Sequence, residues 1–376
     1  MKIGIDTFAC DGGKSAVGVY LTQLLKRIPP SEVNAELFGW DFDQFAYSEA
    51  APDLEFIARC SINGKTANHL WHIARYPKFA QSRDWDACFF PAAHKSLPYK
   101  SPCLSVGVVH DMAPWWNASK TDRIAALVRF LLPNALRRLD RIIAVSGWVK
   151  QELVDLAGVK ESRIDVVPNG IDLTAFYPRP RNEESVLLIQ PFSFRRPYML
   201  YASRLEHPLK NHVRLIEAFG IFKERTNYPH RLVLAGADSN GADKVHEAAQ
   251  ASKYRNDIFF TGHFPSTSLP ELYAGADLAV IPSMYEGFGT GVLEAMASGV
   301  PVVCARAGSL PETAEHAALY FDPKNCEDMA DRMVTMITNR EFYRECRGLG
   351  LERAQAFSWD RCAEATLKIM HDITGK

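Results

Sequence analysis

The segment EGFGTGVLE, Glu286 to Glu294, stands between two short apolar runs, DLAVI (Asp277 to Ile281) and VPVVCA (Val300 to Ala305). The spacing fits a right-handed β-α-β crossover, with the two runs as parallel neighbours and a helix over LEAMASG between them. Gly287 and Gly289 permit tight bends and close approach of a ligand to the backbone. The unpaired amides of the first helical turn favour an anion, and a diphosphate fits there. Glu286 precedes the helix and Glu294 lies a turn or more inside it. Carboxylates accept hydrogen bonds from vicinal hydroxyls, as on a sugar ring or a ribose, and they repel phosphate, so amides and a nearby Arg or Lys must take the phosphate charge. An isolated EGFG is more often a plain turn. Here Ser283, both glutamates, both glycines, Gly299 past the helix end and Pro301 beyond it agree on one strand, loop, helix and strand.

The same alternation extends in both directions. Residues 1–182 alternate strand candidates (KIGID, ELFGW, ACFFP, CLSVGVVH, RIIAV, RIDVVP) with helix candidates (VGVYLTQLLKRI, 121–139, GWVKQELVDLAG). Residues 178–197 form a connection rich in proline and charge around one apolar run. A second set runs from YMLYAS through VRLIEAFGIFKERT, HRLVLAGA, KVHEAAQAS, DIFFTG, LPELYAGA and DLAVIP to PVVCA, and residues 322–375 read as mainly helical. The fold expected is α/β, with two Rossmann-like, doubly wound parallel-sheet domains facing a central cleft, at 1–182 and 183–356. The helix of residues 357–376 is expected to cross back to the first domain. Ligands of such sheets bind outside the carboxyl ends of the strands.

Composition narrows the function classes. A chain of 376 residues, 47% hydrophobic and 23% charged, buries a core large enough for two domains. A formal charge of -1, with no zinc-finger, RNA-binding or basic-helix signature, argues against nucleic acid as a partner. Eight cysteines without a CxxC pair read as reduced core thiols, not as a zinc site. Asp41-Phe42-Asp43 matches a metal-binding D-x-D only superficially, far from the glycine-rich segment, and is read as chance. The opening MKIGIDTFAC reads as a strand and not as a signal peptide, and no apolar stretch of roughly twenty residues is present, so the expectation is a cytoplasmic protein. Arg123, Arg129, Arg137, Arg138 and Arg141 accompany the apolar residues of LVRFLLPNALRRLDR. That pattern suits an amphipathic patch on an anionic membrane, but more often marks a core-facing helix with a basic outer side, here with a kink at Pro133.

Several stretches together carry a family resemblance: RPYMLYASRLEHPLKNHVRLIEAF, GADLAVIPSMYEGFGTGVLEAMASGVPVVCARAGSLPE, VHD at 109–111, and AVSGWVKQEL followed by VVPNGID. The chain resembles the retaining, nucleotide-sugar-dependent glycosyltransferases of family 4, also called group 1 transferases, which have the two-domain GT-B architecture. Its overall likeness is to bacterial polysaccharide mannosyltransferases. The resemblance implies that Glu286 contacts the donor sugar, that Gly287 and the amides of Phe288, Gly289 and Thr290 meet sugar hydroxyls or phosphates, and that Glu294 holds the ribose. Arg204 and Lys210 match the pair that grips the diphosphate, with a spacer one residue longer than is usual. His110 falls near the reacting centre, with Asp111 orienting it or its loop. The glycine-rich turn of the family departs here to DGGKSAVGVY, so its diphosphate contact falls on backbone amides near Ala16 or Val17. Phe264, in GHFPSTSL, is the residue whose backbone would meet the nucleobase.

The resemblance further implies transfer without a fixed metal or a resident cofactor, from a nucleotide sugar to a glycan or lipid-linked oligosaccharide. GDP-mannose is the donor expected first, with UDP-glucose, UDP-N-acetylglucosamine and dTDP-rhamnose as alternatives. A non-catalytic nucleotide-sugar-binding protein is a further alternative. Trp115 and Trp116 either line an acceptor path or fill a core. Any membrane contact would be peripheral, on the cytoplasmic face of the inner membrane.

Overall fold

The computed structural model describes residues 1–13, 15–52, 54–60, 65–116, 123–180, 186–189 and 192–375. Contacts divide the chain into two units, Met1–Gly170 with Ser358–Lys376, and Ile171–Phe357, so the backbone passes between them twice.

The first unit is built on a seven-stranded sheet of β1 (Lys2–Asp6), β2 (Asn34–Trp40), β3 (Glu55–Cys60), β4 (Ala87–Phe90), β5 (Leu104–Val109), β6 (Arg141–Ala144) and β7 (Ile164–Val166). Their order is β3-β2-β1-β4-β5-β6-β7, and every neighbouring pair is parallel. Strands such as ACFF are buried at every position, which is why they read as unbroken apolar runs rather than alternating ones. The helix Ala16–Leu25 follows β1 and is capped by Ser15, whose hydroxyl accepts from the Gly18 amide at 3.3 Å. The last helix, Trp359–Thr374, packs against it. Tyr20 OH lies 3.3 Å from Thr366 Oγ1, and Arg27 Nε lies 2.6 Å from Asp360.

The second unit holds a six-stranded parallel sheet of β10 (Tyr198–Ala202), β11 (Arg231–Ala235), β12 (Ile258–Phe260), β13 (Leu278–Ile281), β14 (Val302–Ala305) and β15 (Ala318–Phe321), ordered β12-β11-β10-β13-β14-β15. The expected neighbours β13 and β14 pair in parallel, Ala279 opposite Val302. Before β10, an antiparallel hairpin of β8 (Val186–Ile189) and β9 (Phe192–Arg195) occupies the stretch read as a connection. Its rings join a cluster with Tyr198, Phe259 and Phe264.

Four further elements differ from the sequence reading. Strands β3 and β15 were not expected, and each lies at the edge of its sheet, where one flank has no partner strand and a short segment gives no periodic signal. The helices Lys65–Ala74 and Tyr76–Gln81 were not expected either. In both sheets the winding direction reverses at one place, between β1 and β4 and between β10 and β13. The loops at the carboxyl ends of those strand pairs therefore diverge and leave a crevice for a ligand.

The helix Arg123–Leu136 contains Pro133. Among the five arginines of that stretch, the side chains of Arg123 and Arg129 lie outside the described residues. The others are engaged locally: Arg137 with Ala157 O, Arg138 over the Tyr99 ring at 3.7 Å, and Arg141 with the Asp165 carboxylate. Phe130 of this helix is 74% exposed. Among the described residues, no helix is long and apolar enough to cross a membrane.

Candidate active site

At the β10–β13 crevice three side chains singled out in the sequence, Lys210, Ser283 and Glu286, meet. Lys210, in the loop after β10, places Nζ 2.6 Å from Glu286 Oε1, in the loop after β13. The same carboxylate oxygen accepts from Ser283 Oγ at 2.7 Å, and Ser283 Oγ lies 2.8 Å from the hydroxyl of Tyr201. Because Ser283 directs its proton to Glu286, the Tyr201 hydroxyl is the donor in the second contact. Burial works against the Lys210 charge, but Glu286 outweighs it, and the ammonium is held charged well above its usual range. Tyr201 is pushed up to about 12 by burial, with Lys210 opposing.

Backbone contacts fix this pair. Met284 N donates to Leu209 O at 2.8 Å, joining the two loops directly. Asn211, 1% exposed and in the left-handed region at φ 60°, donates its amide nitrogen to Pro282 O at 3.0 Å and to Pro323 O at 2.8 Å. The Glu286 carbonyl accepts from both the amide and the hydroxyl of Ser309, each at 3.0 Å. A Cβ at Gly308 would lie 2.5 Å from that carbonyl, so the loop after β14 can close on Glu286 only as glycine. Gly289, at φ 89°, turns the chain into the helix Thr290–Ala297. Gly287, Phe288 and Gly289 are buried and Thr290 is half-buried, and Thr313 Oγ1 donates to the Phe288 carbonyl. Val292 N in the first turn donates to Gly289 O at 3.0 Å, and the amides before it have no acceptor within their own helix, the feature by which helix starts favour anions.

The other predicted residues of this unit are placed differently. Arg204 is exposed, with a side chain 68% accessible, and its Nη2 lies 3.3 Å from Glu206 Oε2. Glu294 lies inside the helix beside the Tyr273 hydroxyl. Phe264 stacks on Phe192 with ring centroids 5.6 Å apart, which leaves its main chain rather than its ring for a base.

Burial lifts the Glu294 carboxyl from 4.5 to about 7, with the Tyr273 hydrogen bond pulling the other way. A carboxyl whose pKa is higher folded than unfolded binds its proton more tightly when folded. Its contribution to stability is therefore full at acid pH and is lost as pH rises through about 7. Glu294→Gln, which cannot ionise, is expected to raise the Tm of the ligand-free protein at about pH 8 while leaving it near wild type at about pH 5. Thermal melts across that range check this, and parallel pH profiles for the two proteins would refute the assignment.

In the first unit, His110 follows β5 and is 8% exposed. Its Nε2 lies 3.0 Å from Pro91 O, and a carbonyl only accepts, so Nε2 carries the proton. Burial, helped by His94, pushes the His110 pKa down to about 3, and the ring is neutral. The neutral ring, with its one N–H engaged by Pro91 O, can accept a hydrogen bond at Nδ1 and is not a general acid. Asp111 Oδ1 accepts from Ala113 N at 2.9 Å, and its Oδ2 lies 4.0 Å from His94 Nε2. Ala16 and Val17 are the first two residues of the helix Ala16–Leu25, with Ala16 exposed and Val17 buried. Tyr20 of that helix packs edge-on against the His110 ring at 5.0 Å. Across the β1–β4 crevice, Lys95 Nζ lies 2.7 Å from Asp11 Oδ2. Trp115 is half-buried, and Trp116, 51% exposed, donates to Glu152.

The side chains of the D-x-D stretch diverge. Asp41 is exposed, while Asp43 is buried and holds Thr7 Oγ1 at 2.7 Å and Trp40 N at 3.1 Å. Among the described residues no three His, Cys, Asp or Glu side chains converge as metal ligands.

Sequence reasoning passed over Tyr201, Glu206, Asn211, Ser309, His94 and Lys95. Asn211 alone had a visible signal, the Lys-Asn pair at a helix start; Glu206 depends on a side chain turning back on its own loop, and the others enter through strand order.

Comparison with known proteins identifies the family. A profile described as glycosyl transferases group 1 matches residues 189–350, and one described as glycosyltransferase family 4 matches residues 17–175. The O-antigen chain mannosyltransferase B of Escherichia coli is 30% identical over 388 residues, covering 98% of this chain and 98% of that protein. The mannosylfructose-phosphate synthase of Agrobacterium fabrum is 27% identical over 63% of this chain and 54% of its own length. Among solved structures, sucrose-phosphate synthase from Thermosynechococcus elongatus has a TM-score of 0.78 at 17% identity, covering 100% of this chain and 99% of that one. Anabaena HepE, solved with UDP and glucose, has a TM-score of 0.75 at 20% identity over 98% and 99% of the two chains. At those identities the structural likeness shows the GT-B fold. The end-to-end match to a relative at 30% identity goes further, and with both profiles falling on the two sheets it makes this chain a member of the family 4, or group 1, glycosyltransferases, a nucleotide-sugar-dependent enzyme of GT-B fold.

Proposed function

We propose that this enzyme transfers a hexose, with retention at the anomeric carbon, from a nucleoside diphosphate to a hydroxyl of a glycan or lipid-linked oligosaccharide. The observation that carries this reading is the Lys210–Glu286 contact beside a helix start at the β10–β13 crevice. It sets a cation and amides for a departing diphosphate next to a carboxylate for sugar hydroxyls. In this reading Arg204 adds a second cation, Glu286 and the Phe288–Thr290 backbone hold the sugar, Glu294 holds the ribose, and the Phe264 main chain meets the base. In the first unit, this reading assigns a diphosphate contact to the Ala16 and Val17 amides and a sugar contact to neutral His110, with Asp111 shaping its loop. The bond between the anomeric carbon and the phosphate oxygen breaks as the acceptor oxygen bonds to the same face. The acceptor proton passes to the departing phosphate oxygen, giving a glycoside and a nucleoside diphosphate. No side-chain nucleophile is needed.

Two donor readings each have an observation behind them. A UDP-sugar has the broader support, because HepE is solved with UDP and with UDP-glucose, and TarM of S. aureus with UDP. GDP-mannose has the mannosyl activity named in the full-length E. coli relative. The deciding experiment is a thermal-shift panel of UDP, UDP-glucose, UDP-N-acetylglucosamine, GDP, GDP-mannose and dTDP-rhamnose, followed by product mass with a lipid-linked acceptor. Uridine compounds are expected to raise the Tm, less so in Glu294→Ala. Stabilisation by guanosine compounds alone would return the donor to GDP-mannose. Stabilisation without any product would mark a nucleotide-sugar-binding protein.

A further inference from the structure

The loop between β10 and the helix His212–Thr226 carries one carboxylate that the roles above leave unused. Glu206 Oε2 lies 3.3 Å from Arg204 Nη2, and the Glu206 side chain is only 13% exposed against 68% for Arg204. Its backbone carbonyl accepts from Lys210 N at 3.1 Å, and its charge also acts on the Lys210 ammonium. Each cation of the crevice thus already faces an acid, Lys210 facing Glu286 and Arg204 facing Glu206.

The two acids are not equivalent. Glu286 stands where sugar hydroxyls can meet it and is tied to Ser283 as well as Lys210. Glu206 faces the exposed guanidinium, and its segment is fixed from both sides by Leu205 N to Ala237 O at 3.0 Å and by His207 N to Asn240 O at 2.9 Å. The long, exposed arginine is the mobile partner. When a diphosphate arrives, its oxygens and the Glu206 carboxylate call on the same guanidinium.

Resting on the nucleotide-sugar reading, we propose that Glu206 is a built-in competitor for the diphosphate. It holds Arg204 while the crevice is empty and gives it up to phosphate oxygens on binding, so it lowers the affinity for both the donor and the nucleoside diphosphate product. An enzyme whose product keeps the whole charged handle of its substrate gains turnover from such a competitor, because release of that product is eased.

The test is calorimetric titration with UDP and with GDP, and with uridine and guanosine as probes that lack the diphosphate. Glu206→Gln is expected to bind the diphosphate that wild type binds roughly fivefold more tightly. Its affinity for the nucleoside stays unchanged, and inhibition by the diphosphate product during turnover strengthens by the same factor. The gain is expected to vanish on an Arg204→Gln background. Glu206→Asp, which keeps the charge, is expected to show no tightening, and serves also if the Gln variant folds poorly. Unchanged or weaker diphosphate binding in Glu206→Gln, equal tightening for the nucleoside, or a gain that persists without Arg204 overturns the competitor role alone. Wild type binding neither UDP nor GDP overturns the nucleotide-sugar reading itself, and this one with it.

Discussion

Lys210→Ala is expected to lower kcat/KM for sugar transfer by about 100- to 1000-fold, the loss that follows when one preorganised group is removed from a developing charge. The ammonium sits 2.6 Å from Glu286, with both side chains 21% exposed, so it works in a partly dry site where a charge counts for more than in water. Without it, the leaving diphosphate loses a fixed cation. At the same time the Glu286 carboxylate loses its cation and, among the described residues, keeps the Ser283 hydroxyl as a side-chain partner, and a carboxylate without its cation repels the group the site must hold. Both effects fall on the step in which phosphate charge develops, so kcat is expected to drop more than KM rises. The Tm is expected to stay near wild type, because the loop is pinned independently by Met284 N to Leu209 O and by the two Asn211 hydrogen bonds. Arg204→Ala, at the exposed position, is expected to cost less. Steady-state kinetics of both variants, alongside thermal melts, check this. An equal loss at both positions, or a Lys210→Ala loss matched by a collapse in Tm, would mean that the contact holds the fold and not the diphosphate.

That contact also shows where reading the sequence stops. EGFGTGVLE was legible because strand, turn and helix follow one another in the chain, and its glycines have a local reason: Gly289 for its positive φ, Gly299 for the helix end; the helix itself starts at Thr290, ahead of the LEAMASG run. Lys210 and Glu286 are 76 residues apart, and what joins them is that β10 lies beside β13. Nothing in the spacing of either segment sets that strand order, so Ser283, Tyr201 and Ser309 could not be assigned to the same carboxylate. The likeness to a known family placed Lys210 and Glu286 near one another by analogy, but it carried no word on Glu206, whose role depends on a side chain turning back on its own loop. Edge strands were illegible for a different reason. ALYF at β15 is short and followed by Asp-Pro, and EFIARC at β3 mixes charge with apolar residues because it has a partner on one flank only. The His110 neighbourhood was half-legible. Its place at a strand end was visible, whereas His94 and Lys95, which come from the end of β4, enter through the second reversal of strand order.

The largest stability effect is expected at His72, in the helix Lys65–Ala74 that the sequence did not reveal. His72 Nε2 lies 2.7 Å from Asp6 Oδ2, with the two side chains 0% and 5% exposed. Its Nδ1 lies 2.8 Å from Asn68 O, which only accepts, so that nitrogen carries a proton and the ring is oriented from both sides. Phe8 and Trp71 pack edge-on against the imidazole, each at 5.2 Å. His72→Ala therefore leaves the Asp6 carboxylate buried with the Phe8 amide as its remaining hydrogen-bond partner on the other oxygen, and opens a void among aromatic rings. Removing one partner of a buried pair costs about 3–5 kcal/mol, against well under 1 kcal/mol for an exposed pair. The loss belongs to the first unit, and urea unfolding is expected to separate into two steps, with the earlier one assigned by the fluorescence of Trp40, Trp71 and Trp85. His72→Gln, which can donate to Asp6, is expected to recover part of the loss. Function follows, since Asp6 ends β1 and its Oδ1 holds the Phe8 amide at 2.9 Å. That turn opens the loop which Lys95 grips at Ala9 O and Asp11, and which leads into Ala16 and Val17. A midpoint shift worth less than about 1 kcal/mol, or no gain from Gln over Ala, would show that Asp6 finds water or another donor when the imidazole is gone.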